Sequence, residues 1–314
     1  MADIALALGG GGVKGLAHIG VLRVLEKEGF KVSAVAGTSA GGIVGSLYAA
    51  GYSLAEIEKI GERMKSPHFF SRTHFDGPSL LGVQGGAQLL TEYLGDRRFE
   101  DLLIPFACTA VDLNTSGEII LAHGNVVEAI LATIAIPGIF PPHQINDYLL
   151  VDGAVLDPVP VALARWLSPT STVIAVCLSP APDTWAQLPD PHFLPTSPIP
   201  RPILDQFARL RISQAVQIFY KSFDTTGRMI SELRMQIDKP DVIIRPEVGK
   251  YGLLDNVNSK ELVALGEAAA EAALPEIRLA LSWSNHLAHY FRHSQAPGKV
   301  IEGGAENHIP PNNP

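Results

Sequence analysis

The chain has 314 residues, of which 46% are apolar and 18% charged, a composition that excludes a wholly disordered protein. A formal net charge of −8 argues against a protein that grips the phosphate backbone of nucleic acids. Only two cysteines occur, Cys108 and Cys177, so a disulfide framework and a Cys-x-x-Cys metal site are excluded. Both lie in apolar segments, which predicts buried thiols in a reducing compartment.

The first fifty residues predict two successive strand–turn–helix units. Strands are predicted at 4–8 and 32–36, and helices at 13–29 and 43–50, with glycine-rich turns between them. This order is typical of an α/β architecture with parallel strands.

The remaining elements are predicted mostly from short apolar runs and their glycine and proline boundaries. Helices are expected at 54–64, 88–94, 125–134, 203–237 and 258–273. Strands are expected at 106–112, 118–122, 148–151, 173–178 and 242–244. A loop is expected at 66–86, and eight prolines in 179–202 argue against a helix or a central strand there.

Neither a secretory leader nor a membrane-spanning helix is expected from the sequence. The N-terminal segment has no basic stretch, which is unlike a secretory leader, and no run of about 18 apolar residues occurs. We therefore expect a cytoplasmic protein, with peripheral contact at a membrane left open. The polar segment 282–314 is expected to be a flexible tail.

The glycine-rich segment GGGGVKG (9–15) follows the first predicted strand. Gly10, Gly12 and Gly15 match G-x-G-x-x-G, but the next strand lacks the terminal acidic residue of a dinucleotide site. A P-loop does not fit either, because Lys14 precedes the last glycine and a leucine follows it. The segment instead offers backbone N–H groups at a helix N-terminus, which suit a bound anion or a developing negative charge.

The segment GTSAG (37–41) places Ser39 on a sharp turn between a strand and a helix. This G-x-S-x-G setting is typical of a nucleophilic serine, although the pentapeptide alone is also common as a structural turn. In α/β-hydrolases an acid and then a histidine follow the serine. The histidines downstream of Ser39 are His68, His74, His123, His143, His192, His286, His289, His293 and His308, and none has a strand-end setting that stands out.

Asp152 directly follows a predicted strand in the segment DGA (152–154). An aspartate before glycine is often only a turn former. However, α/β sheets place their sites at the carboxyl ends of strands, and Ser39 is expected at such an end too. A desolvated carboxylate within hydrogen-bond reach can act as the base for a serine.

The motifs GGGGVKG, GTSAG and DGA, in this order and at these spacings, resemble the patatin-like phospholipase family. Within it, the chain is similar to bacterial proteins related to the catalytic domain of neuropathy target esterase. The segment ATIAIPGIFPP (132–142) resembles the family's block before the aspartate. The strong resemblance covers about residues 4–180, and a fainter one reaches about residue 275.

The resemblance implies a three-layer α/β/α fold with a mostly parallel central sheet, in one hydrolase domain over residues 1–281. It implies an enzyme that cleaves carboxylic ester bonds of lipids through a Ser–Asp dyad and an acyl-enzyme, without a metal or cofactor. Ser39 would be the nucleophile and Asp152 the proton acceptor, with an oxyanion hole formed by Gly10, Gly11 and Gly12. The supporting motif residues are Lys14, Gly15, Gly37, Gly41, Gly153 and Ala154.

Several alternatives stay open at this stage. The same dyad could serve a general carboxylesterase or thioesterase, and the chain could instead be a regulatory lipid-binding module or a hydrolase with a histidine triad. Lys14 could shape the glycine loop, meet a lipid phosphate or be a solvated surface lysine. The long helix 203–237 could face a membrane or pack on the domain.

Overall fold

The strands of the described chain form one mixed sheet with helices on both faces. A computed structural model describes residues 3–71, 77, 79–187, 211–282 and 296–303. Its strands are β1 (Asp3–Leu8), β2 (Lys31–Gly37), β3 (Phe106–Asp112), β4 (Gly117–Gly124), β5 (His143–Ile145), β6 (Tyr148–Asp152), β7 (Thr172–Val176), β8 (Val242–Ile244) and β9 (Lys299–Gly303). Its α-helices are α1 (Ala17–Lys27), α2 (Ala40–Ala49), α3 (Leu54–Met64), α4 (Gln84–Leu94), α5 (Val126–Thr133), α6 (Val161–Leu167), α7 (Arg211–Asp238) and α8 (Ser259–Ala280).

The central strands run in the order β5-β6-β3-β2-β1-β7-β8, and β4 pairs with both β3 and β9. Five strand pairs are parallel and three, all involving β3 or β6, are antiparallel. The mostly parallel sheet predicted from the sequence is therefore confirmed.

The two faces of β1 bury side chains of different size. Ile4, Leu6 and Leu8 pack in a large core with residues of α1, α2, α3, α5 and α8. Ala5 and Ala7 face the opposite layer, which contains α6 and Met235 of α7. Helices thus cover both faces, which confirms the three-layer α/β/α architecture.

The strand β3 brings the ends of β2 and β6 together. Gly37 at the end of β2 pairs with Cys108, and Asp152 at the end of β6 pairs with Ala110 on the same edge of β3. Since β2 is parallel to β3 and β6 is antiparallel to it, their carboxyl ends meet head to head. We expected Ser39 and Asp152 to meet at parallel strand ends; the structure brings them together through opposed strands.

Some predicted boundaries are wrong for identifiable reasons. Helix α2 begins at Ala40, directly after Ser39, and not at 43 as predicted. The last helix continues through Pro275 to Ala280 instead of ending at 273, and its later part is held by the buried Ile277. Residues Pro182–Gln187 form a 3-10 turn within the proline-rich segment; the remainder of that segment and the predicted helix start at 203 lie outside the described residues.

The predicted flexible tail is also wrong for part of its length. Residues Lys299–Gly303 form β9, which pairs in parallel with β4. The strand β9 depends on a pairing partner distant in sequence, whereas β5 was not predicted because its three residues carry little periodic signal. Among the described helices, none is long and apolar enough to cross a membrane.

Candidate active site

Ser39 lies on a strained turn between β2 and α2. Its backbone adopts φ 54° and ψ −121°, a conformation that costs free energy for a residue with a side chain. The turn is held by hydrogen bonds: the Ser39 N–H donates to Thr133 Oγ1 at 2.9 Å, and the Thr38 N–H donates to the Leu8 carbonyl at 3.0 Å. Ser39 is only 4% exposed.

The glycines that flank Ser39 permit close backbone packing. A Cβ added to Gly41 would lie 2.0 Å from the Leu8 carbonyl oxygen, and one added to Gly37 would lie 2.6 Å from the Gly41 carbonyl oxygen. The G-x-S-x-G pattern therefore has a steric reason here, since a side chain at Gly41 would collide with β1 and one at Gly37 would collide with the start of α2.

Asp152 ends β6 with its carboxylate buried beside Ser39. It is 1% exposed, and its Oδ1 accepts a hydrogen bond from the Ala154 N–H at 2.8 Å. Burial raises the pKa of Asp152 to about 7, against the opposing effects of hydrogen bonds with the Ser39 side chain and the Ala154 backbone. A carboxyl with this pKa can accept and return a proton near neutral pH.

The loop after Asp152 holds the other two motifs in place. The Asp157 carbonyl accepts a hydrogen bond from the Thr38 hydroxyl at 2.9 Å, and the Pro158 carbonyl accepts one from the Gly10 N–H at 2.9 Å. Gly153 allows this loop to pass close to β3, because a Cβ there would lie 2.0 Å from Thr109 Oγ1. The serine turn and the glycine loop are thus tied to the aspartate loop.

The glycine loop passes directly over the serine. A Cβ added to Gly10 would lie 3.2 Å from the Cβ of Ser39, and one added to Gly15 would lie 2.6 Å from the Cβ of Ala40. Gly12 has φ +59°, and a Cβ there would lie 2.2 Å from the Leu253 carbonyl oxygen. These contacts explain why the segment is rich in glycine.

The prediction that Gly10 offers an oxyanion N–H is wrong, because its N–H is already bound to Pro158. Within the described part of the chain, the N–H groups of Gly11 and Gly12 have no hydrogen-bond acceptor. These two N–H groups are therefore the candidates for holding an oxyanion.

His18, in α1, forms a hydrogen bond with the glycine loop that the sequence did not predict. It is fully buried, and its Nε2 lies 2.8 Å from the Gly9 carbonyl oxygen, which can only accept a hydrogen bond. Burial lowers the pKa of His18 to about 4, so the imidazole is neutral near pH 7. The sequence placed it in a helix without assigning it a partner.

Lys14 is partly buried against the glycine loop, so the interpretation as a solvated surface lysine is wrong. A Cβ added to Gly11 would lie 3.4 Å from Lys14 Cε. Burial lowers the pKa of Lys14, while the nearby Asp224 and Asp255 raise it. The lysine packs on the loop that carries the candidate oxyanion donors.

A cavity of about 400 Å³ opens beside Ser39, and its lining is predominantly apolar. It lies among α1, α2 and α3 and the segment 253–256. Its lining side chains include Leu16, Ile43, Val44, Leu47, Ile57, Met64, Phe69, Phe70, Ile136, Phe140 and Leu253. Such a cavity suits the hydrocarbon part of a ligand whose reacting group lies at the serine.

The described histidines and acidic residues offer neither a triad nor a metal site. None of the described histidines, His18, His68, His123 and His143, hydrogen-bonds with Ser39. The Nε2 of His143 lies 2.9 Å from Glu128 Oε2, and the Nδ1 of His123 lies 3.3 Å from Glu100 Oε1. Among the residues that the structure describes, no group of three or more His, Cys, Asp or Glu side chains could hold a metal ion. The other histidines, His74, His192, His286, His289, His293 and His308, lie outside the described residues.

A family model of patatin-like phospholipases matches residues 6–165, about half of the chain. This chain belongs to the patatin-like phospholipase family. The match contains the glycine loop, Ser39 and Asp152, so the motifs that predicted this family from the sequence lie within its patatin-like domain.

Relatives of this patatin-like chain include an uncharacterized NTE family protein of Mycobacterium tuberculosis. It is 35% identical over 164 residues, which cover 51% of this chain and 44% of that protein. Lysophospholipase NTE1 of Candida glabrata is 32% identical over 164 residues, covering 50% of this chain and 9% of that enzyme. The chain thus spans less than half the length of these relatives.

Among solved structures, VipD from Legionella pneumophila aligns with a TM-score of 0.47 and 13% sequence identity. The alignment covers 87% of this chain and 66% of VipD.

Proposed function

We propose that this protein hydrolyses carboxylic ester bonds of lipids, with Ser39 as nucleophile and Asp152 as general base. The observation that carries the proposal is the position of Ser39, between the buried carboxyl of Asp152 and the glycine loop, at the wall of a large apolar cavity. Membership of the patatin-like phospholipase family and similarity to Lysophospholipase NTE1 support the same chemistry.

In the first step, Ser39 Oγ attacks the acyl carbonyl while Asp152 takes the hydroxyl proton. The carbonyl oxygen becomes an oxyanion, which the N–H groups of Gly11 and Gly12 stabilise. When the intermediate collapses, the proton passes to the leaving alcohol and the acyl group stays on Ser39. A water molecule then attacks the acyl-enzyme while Asp152 takes its proton. When the second intermediate collapses, Asp152 returns this proton to Ser39 Oγ, and the carboxylic acid and free Ser39 result.

The glycine N–H donors are expected to contribute about as much to the rate of hydrolysis as the general base does. One oxyanion donor contributes roughly 3–4 kcal/mol to transition-state stabilisation in serine hydrolases. The neutral His18 hydrogen-bonds with the glycine loop and Lys14 packs against it. Both side chains therefore help to position the N–H donors, and neither needs to contact the substrate.

We also propose that the protein contacts lipid surfaces beside the cavity. Leu80 is 48% exposed and Phe219 is 55% exposed, and both lie next to Gly138. The neighbouring Phe140 lines the cavity. A vesicle sedimentation assay tests this contact: a Leu80→Ser/Phe219→Ser double variant should bind less well to phosphatidylcholine vesicles than the wild type, and equal binding would contradict it.

The catalytic proposal is tested with a panel of nitrophenyl esters, lysophospholipids and acyl thioesters. We expect turnover of oxygen esters by the wild type and none by a folded Ser39→Ala variant. Undiminished turnover by Ser39→Ala would refute the assignment of the nucleophile, and turnover of thioesters alone would replace the lipid esterase by a thioesterase.

A further inference from the structure

The cavity beside Ser39 follows one face of α2. Ala40, Ile43, Val44 and Leu47 line it, and their spacing places them on a single side of the helix. From Ser39 to Leu47 the helix rises about 12 Å, at 1.5 Å per residue. The long axis of the cavity therefore runs along α2, away from Ser39.

The opposite wall is α3, which runs antiparallel to α1 and α2. Arg23, late in α1, pairs with Glu58, early in α3, at 2.9 Å, whereas Leu16, just before α1, meets Gly61, later in α3. Helices α1 and α2 each follow a strand of the parallel pair β1–β2, so they share a direction. Ile57 consequently lies at the deep end of the cavity, and Met64 lies toward the serine.

Gly61 lies between these two ends, and its missing side chain leaves the cavity open. It lines the cavity together with Leu16, and a Cβ added to Gly61 would lie 2.5 Å from Leu16 Cδ2. Even a methyl group must therefore displace Leu16, and a longer side chain must enter the cavity. Ile57 is one helical turn further along, so about 6 Å of depth lies beyond Gly61.

We propose that Gly61 sets the length of the acyl chain that this protein accepts, an inference that rests on the proposed ester hydrolysis at Ser39. An extended chain advances about 1.2 Å per bond, so about 12 Å takes roughly ten carbons. A side chain at position 61 would leave room for roughly five carbons. The open cavity thus assigns medium-chain acyl groups of up to about ten carbons as substrates, with the chain lying between α2 and α3.

The test compares kcat/KM for nitrophenyl esters from butyrate to dodecanoate. For the wild type, kcat/KM should rise with chain length up to about decanoate, because each buried methylene is worth about fourfold. For Gly61→Leu, about five fewer methylenes are buried, so the decanoate-to-butyrate ratio of kcat/KM should fall on the order of 1,000-fold. Gly61→Ala should lower this ratio by several-fold, which preserves the test if the leucine variant does not fold.

Gly227→Ala is the matched control, because a Cβ at this helical glycine meets nothing within 4 Å. It should keep the wild-type ratio. An unchanged ratio in folded Gly61→Leu and Gly61→Ala would overturn the inference.

A second measurement separates this inference from the proposed function. Calorimetry would record binding of decanoate and hexanoate to Ser39→Ala, with and without Gly61→Leu. Selective loss of decanoate binding supports the length rule even if no ester is hydrolysed, in which case only the proposed function fails. Equal loss of both ligands would overturn the length rule while leaving hydrolysis intact.

Discussion

Replacing Asp152 with asparagine should inactivate the enzyme and make it more stable at alkaline pH. The carboxyl of Asp152 has a pKa of about 7 in the folded protein, against an ordinary value of 3.8. Below about pH 4 both folded and unfolded chains hold the proton, so this group does not affect stability. Between about pH 4 and 7 the folded chain retains a proton that the unfolded chain has lost, so stability falls as the pH rises. Above pH 7 the full cost of the buried charge is present.

The size of this cost follows from the two pKa values. Their difference corresponds to about 4 kcal/mol, at about 1.4 kcal/mol per pKa unit. Asparagine has nearly the same shape and carries no charge, and its amide oxygen can still accept the Ala154 N–H. The variant should therefore gain up to about 4 kcal/mol over the wild type at pH 8 and little at pH 4.

Urea unfolding of both proteins across pH 4 to 8 measures this difference, and an ester assay checks the loss of activity. Asp147→Asn is the control, because Asp147 is exposed. Asp157 also has a raised pKa, but it is present in both proteins and its contribution largely cancels. A stability difference that does not grow between pH 4 and 8, or a variant with normal turnover, would refute the account of a buried general base.

Three further predictions concern the groups around the serine. Since Asp152 must be ionised to take a proton, kcat/KM should fall about tenfold per pH unit below a pKa near 7; a flat profile from pH 5 to 8 would speak against this base. Thr133→Val removes the acceptor of the Ser39 N–H and should cost about 1–3 kcal/mol of stability and lower kcat, whereas Thr133→Ser should retain both, as urea unfolding and kinetics would show. Gly11→Pro removes a candidate oxyanion donor and should slow single-turnover acylation at least about 100-fold, while Gly11→Ala keeps the N–H and should be affected less; equal rates for the two would exclude Gly11 as a donor.

Much of the fold could be predicted from local sequence patterns. The bounds of α3, β3 and β8 coincide with those predicted, because periodic apolar residues and clear boundaries mark them. The short strands β5 and β9 were not predicted, since three to five residues carry little periodic signal, and β9 also pairs with a strand distant in sequence. The head-to-head meeting of β2 and β6 depends on how β3 pairs along one edge, which no local pattern encodes.

The candidate site likewise combines residues that local motifs predicted with contacts that only tertiary packing makes. Ser39, Asp152 and the glycine loop were predicted because each occurs in a recognisable motif, and the structure brings all three together. The bond between Gly10 and Pro158 and the support from His18 were missed, because they join residues through tertiary packing. Thr133 lies within the segment 132–142 that resembles the family, which was the one sequence signal near it.

Covalent labelling tests the central claim most directly. The protein would be treated with an alkyl fluorophosphonate, which reacts with activated serines, and the modified peptide identified by mass spectrometry. We expect stoichiometric modification of Ser39 in the wild type, much slower modification in Asp152→Asn and none at that site in Ser39→Ala. Modification of a different residue, or equal labelling rates in the wild type and Asp152→Asn, would contradict a serine nucleophile activated by Asp152.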